Sequence, residues 1–129
     1  MKIPESIRIG GVEYPVGREV NLNDGLNMCY GHIDYERCHI RLLDSPSMSH
    51  EKLCITLWHE ILHGIRQHAG LEIEDEEAVV NMFAKGIYQV LQDNGARLFD
   101  IREPAKCTYG DRLAGVGRNE SEGISNGPE

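Results

Sequence analysis

What the chain lacks narrows its class first. No apolar run approaches the roughly 18 residues of a membrane-spanning helix, and no basic stretch followed by an apolar core stands at the N-terminus as an export signal would. Both absences point to a cytosolic protein with no membrane partner. Lysine and arginine do not cluster, and a formal charge of −8 with a pI near 5.2 argues against a nucleic-acid surface, because phosphate binding needs a concentrated positive patch. The four cysteines, Cys29, Cys38, Cys54 and Cys107, have no C-x-x-C spacing and no disulfide framework. They read as reduced thiols, with Cys54 a plain core residue. Internal repeats are absent. What remains is 129 residues, 40% of them apolar, which suffices for one modest domain with a tail.

The apolar residues concentrate between Leu53 and Ile65. Leu53, Cys54, Ile55, Leu57, Trp58, Ile61, Leu62 and Ile65 cover every face of a helix, which predicts a buried central helix. Inside it stands His59-Glu60-Ile61-Leu62-His63, an H-E-x-x-H motif. Residues four apart lie one helical turn above each other, so His59 and His63 point the same way and can share one metal ion. Glu60, one position on, can hold a water beside that metal and act as its general base. This is the chemistry of a zinc hydrolase. By average residue frequencies the motif arises by chance in roughly one of a few hundred chains of this size. The bland reading is a pair of hydrogen-bonded core histidines, but burying two histidines and a glutamate without partners costs several kcal/mol, and a metal satisfies them directly.

Around this helix the pattern is α+β. Ile7 to Val16 forms two alternating runs about Gly10-Gly11, a hairpin signal. Asp24-Gly25 marks a turn. Met28 to Tyr35 and Cys38 to Leu43 read as two further strands joined at Glu36-Arg37, giving a small, mostly antiparallel sheet of three or four strands. His32 and His39 fall in these strands at rim positions, with one of them as a possible neighbour of the metal. Ser47 or Ser49 can cap the motif helix, predicted over about 50–69 and stopped by Gly70. A second helix over about 75–93 ends at Asn94-Gly95, with Val80, Phe83, Ala84, Ile87 and Leu91 as the face that packs on the first. Residues 114–129, polar and rich in Gly, Ser and Glu, read as a disordered tail, leaving 1–113 as the domain.

A catalytic zinc takes three protein ligands and leaves the fourth position for water. His68 fails as the third, since it lies about 140° around the helix from His63. The acidic run Glu74-Asp75-Glu76-Glu77 is better placed. Three of those four acids suit a solvated helix start, yet Glu76 and Glu77 extend the apolar face of the second helix, so one of them should meet the first helix, where a carboxylate needs a cation.

The segment Glu77-Ala78-Val79-Val80-Asn81 resembles the E-x-x-x-D pattern of gluzincins, metallopeptidases whose third zinc ligand is a glutamate on the next helix. That resemblance selects Glu77, with Glu76 as the alternative, and implies that residue 81 orients a ligating histidine. Asn81 departs from the pattern by being an amide, able to accept a bond but uncharged. More broadly, Ile9-Gly10-Gly11-Val12-Glu13-Tyr14, Tyr30 to Tyr35, Leu57 to Ile65 and Gly86 to Asn94 resemble small phage and prophage metallopeptidases of loosely ImmA/IrrE-like type. The likeness spans Ile7 to Asn94, about two thirds of the chain. It implies a minimal zincin fold over 1–113, one zinc ion per chain, a protein or peptide substrate, and the cytoplasm of a bacterial host. The expected chemistry is peptide-bond hydrolysis with zinc on His59, His63 and Glu77 and with Glu60 as general base. The outer strand of the sheet, read as Cys38 to Leu43, is the expected place for an extended peptide to add. The rival is a metal-stabilised binding module without catalysis, in which Glu60 would have no task.

Overall fold

The computed structural model describes residues 1–99, and a compact unit spans Met1–Gly95. The tail read over 114–129, and the domain end at 113, lie outside the described residues. Within the unit, four strands are followed by two helices: β1 (Ser6–Ile9), β2 (Val12–Glu19), β3 (Gly31–Asp34), β4 (His39–Leu43), α1 (His50–Ala69) and α2 (Glu76–Asn94). This is the expected small α+β arrangement. Among the described residues no helix is long and apolar enough to cross a membrane.

The sheet is mixed, in the order β1-β2-β4-β3. β1 and β2 form the hairpin foreseen at Gly10-Gly11, both in the left-handed region that glycine tolerates. β2 then changes partner. Residues 12–15 pair with β1, and residues 16–19 pair in parallel with β4. Pro15, with no N–H to contribute to a ladder, stands at the changeover. β3 and β4 form an antiparallel hairpin whose loop is closed by the Asp34 carboxylate, which accepts from the Glu36 and Arg37 amides at 3.0 and 2.9 Å.

Two expectations need correction here. Cys38 to Leu43 is not the outer strand: β4 lies between β2 and β3, so the free edge on this side belongs to β3. The strand read over Met28 to Tyr35 shrinks to 31–34. Residues 23–28 are instead tied into a turn by Asp24, whose carboxylate accepts from the Leu26 and Asn27 amides.

One face of the sheet packs on α1. Ile9, Tyr14, Ile33, Ile40 and Leu42 from the strands meet Leu53, Leu57 and Ile61 of the helix. Gly64 lets the two layers close: a Cβ there would stand 3.0 and 3.1 Å from the Cδ1 atoms of Ile33 and Ile9. α1 starts at Ser49, whose hydroxyl accepts from the Lys52 amide at 3.1 Å, and ends at Gly70 with φ 68°. It is not buried all round, as its apolar girth had suggested. Leu53, Cys54, Leu57 and Ile61 are buried, Ile55, Trp58 and Leu62 are half-buried, and Ile65 is 49% exposed. α2 covers the remaining side only in part, burying Val80 and Ala84 while Phe83 of its predicted contact face is 51% exposed.

Candidate metal centre

α1 and α2 run antiparallel, so the start of α2 lies beside the second half of α1. Glu76 and Glu77 reach His63 and His59 there, while at the other end His50 and Gln92 both approach Met1. The three residues expected to hold a metal come together. His59, His63 and Glu77 each direct a ligand atom into one spot, all within 4.8 Å of one another. The two Nε2 atoms are 3.0 Å apart, and the Glu77 carboxylate oxygens lie 3.3 Å from that of His59 and 2.8 Å from that of His63.

Glu76 does something else. Its Oε2 lies 2.6 Å from Nδ1 of His63, and its Oε1 lies 3.1 Å from Nε of Arg66. These two cationic or proton-bearing partners hold its carboxyl below the usual range, the His63 bond first. Geometry therefore assigns the His63 proton to Nδ1, leaving Nε2 with a lone pair aimed at His59 and Glu77. A lone pair, a second imidazole and a carboxylate that converge in this way are held by a shared proton or by a cation. Two imidazoles and one carboxylate are a donor set that divalent metals accept. Glu76 was expected only as a substitute ligand; it is instead the carboxylate that fixes the ring of His63. The general habit of ligating histidines, which give their other N–H to a carboxylate, is the signal that could have found it. Asn81, the residue that the pattern of the second helix points to, lines the same cleft as His59. Burial lowers the pKa of His59 and the neighbouring His63 adds to this, against the pull of Glu77 and Asn81.

Glu60 lies next to this group and is 7% exposed. Burial pushes its carboxyl up to about 7, the Glu77 charge adds to that, and His63 and the Ile33 amide oppose it. The start of β3 sits directly on it. A Cβ on Gly31 would stand 3.2 Å from Oε2 of Glu60 and 2.5 Å from Cγ2 of Thr56. His59, Glu60, Glu77 and Gly31 share the wall of one cleft of about 680 Å³, which Asn81, Lys52 and Lys85 also line.

His32 and His39 are not among the residues lining this cleft. They remain on the sheet, with Nδ1 of His32 and Nε2 of His39 buried and lacking a hydrogen-bond partner. His68 faces away from the centre, and its Nε2 lies 2.9 Å from the Tyr14 hydroxyl, against the β1–β2 hairpin. Cys54 is fully buried and Cys29 and Cys38 are free thiols, as read from the sequence. No protein-family model, curated protein or solved structure matches the chain.

Proposed function

We propose that the protein is a zinc-dependent metallopeptidase of the small gluzincin type, encoded by a phage or prophage and acting in the host cytoplasm. The observation that supports it most is the convergence of His59, His63 and Glu77 on one point, with a buried glutamate, Glu60, on the wall of the same open cleft. A structural metal site would close its fourth position with a protein ligand and would have no use for a buried base beside it.

His59, His63 and Glu77 would hold the zinc, with Glu76 keeping His63 in the tautomer that offers Nε2. Bound there, zinc supplies Lewis-acid polarisation of a peptide carbonyl and acidifies a water toward neutrality. Glu60 takes a proton from the attacking water as its oxygen adds to the carbonyl carbon. It then delivers that proton to the departing amine as the C–N bond breaks, ending as it began. Gly31, lacking a side chain, lets the start of β3 lie directly against Glu60, and the free edge of β3 offers N–H and C=O groups to an extended peptide.

The test is hydrolysis of an unfolded protein or a peptide mixture, read by mass spectrometry. Glu60→Gln is expected to lower the rate by about 10²- to 10⁴-fold while zinc stays bound. Undiminished hydrolysis by Glu60→Gln would remove Glu60 from the mechanism and the peptidase reading with it.

A further inference from the structure

The cleft extends beyond the centre. Lys52 stands seven residues before His59 on α1, Lys85 stands eight residues after Glu77 on α2, and both line the same cleft. Because the helices are antiparallel, the two lysines lie on the same side of the centre, about 10 and 12 Å away along the helix axes. Among the described residues neither ammonium is in an ion pair. Lys52 instead rests with Nζ 3.8 Å from the centre of the Tyr30 ring, a contact that fixes the ammonium without neutralising it.

This placement is notable for so acidic a chain. Lys2, Lys52, Lys85 and Lys106 are its only lysines, against a formal charge of −8, and two of them share one cleft. The other charged groups on that lining are Glu51, Glu60 and Glu77. Glu77 faces the two histidines and Glu60 is buried, so Glu51 alone opposes the lysines at their end.

We infer that the lysine-bearing end of the cleft is a subsite for a substrate carboxylate carried about three residues from the scissile bond. The distance follows from an extended peptide, which advances about 3.3 Å per residue and so covers 10–12 Å in three. The inference rests on the peptidase reading and adds to it a substrate class: peptides with an acidic side chain, or a free C-terminus, at that spacing. Partly solvated ion pairs contribute modestly, so each lysine is expected to account for about a two- to fivefold preference and the pair for about tenfold. The preference should shrink as salt shortens the screening length.

The test uses three fluorescent peptides identical around the scissile bond: one amidated with Asp three residues away on both sides, one amidated with Gln there, and one with Gln and a free C-terminal carboxylate three residues on. Binding to zinc-loaded Glu60→Gln protein is measured by anisotropy, alongside hydrolysis by the wild type. Binding of either carboxylate peptide about tenfold tighter than the amidated Gln peptide, lost in Lys52→Met/Lys85→Met protein with an unchanged urea midpoint, supports the subsite, and the better binder identifies the carboxylate's source. Equal binding of all three peptides, or a preference that survives the double substitution, overturns it. A preserved preference in binding with no hydrolysis by the wild type would overturn the peptidase reading and leave the carboxylate subsite standing.

Discussion

Replacing Gly31 by alanine tests whether β3 and α1 are as close at Glu60 as the structure places them. Gly31 does not have a left-handed φ, so a side chain is excluded here by space and not by backbone conformation. The added methyl would stand 2.5 Å from Cγ2 of Thr56, a buried β-branched residue with little freedom to turn away. Overpacking of this kind costs about 1–3 kcal/mol, and alanine recovers roughly 0.5–1 kcal/mol by restricting the unfolded chain. The net expectation is a loss of about 1–2 kcal/mol. Thr56→Ser removes the clashing methyl and by itself costs about 0.5–1 kcal/mol. In that background the contacts with Glu60 at 3.2 and 3.3 Å remain, so Gly31→Ala should still cost something but less than in the wild type, a coupling of about 1 kcal/mol. Urea unfolding at constant m-value reads all four proteins. A Gly31→Ala substitution that is harmless in the wild type, or that costs the same in both backgrounds, would refute the close approach.

Other consequences can be checked in the same way. Glu76→Gln should weaken metal binding about 10- to 100-fold in competition with a chelating dye, because the His63 ring loses the carboxylate that fixes it; unchanged affinity would remove that role. Tyr14→Phe should lower stability in urea by about 0.5–1.5 kcal/mol through loss of the bond to His68, and no change would mean that water replaces it. The Asp24 and Asp34 carboxyls are held below their ordinary pKa, chiefly by backbone amides of Asn27 and Arg37. Their contribution is therefore full above the ordinary carboxylate range and is lost as pH falls through the lowered values. An Asp24→Asn/Asp34→Asn protein should show a smaller drop in urea midpoint between pH 7 and pH 3 than the wild type, and an equal drop would contradict the linkage.

Much of the fold was legible because local chemistry marks it. Ser49 and Gly70 bound α1, Gly10-Gly11 turns the first hairpin, and the i, i+4 spacing of His59 and His63 needs only a helix to become a shared site. The order of strands was not legible. Alternation in Cys38 to Leu43 says which residues face α1, but nothing in it says that β2 pairs with β4 in parallel and leaves β3 at the edge. The girth of α1 misled because Ile65, apolar by type, stays half exposed, as does Phe83 of the contact face expected on α2. Glu76 and Glu77 are about 100° apart on α2, so both can reach α1. Only the position of that helix decides that Glu77 meets the two Nε2 atoms while Glu76 meets Nδ1 of His63 and Arg66.

The proposed activity requires that His59, His63 and Glu77 form a metal site with Glu60 beside it as a base. Elemental analysis of the purified wild type, Glu77→Ala and Glu60→Gln tests it most directly. About one zinc per chain is expected in the wild type, retained in Glu60→Gln and lost in Glu77→Ala. A folded wild type that takes up no metal when zinc is supplied, or a Glu77→Ala protein that keeps its full zinc, would contradict it.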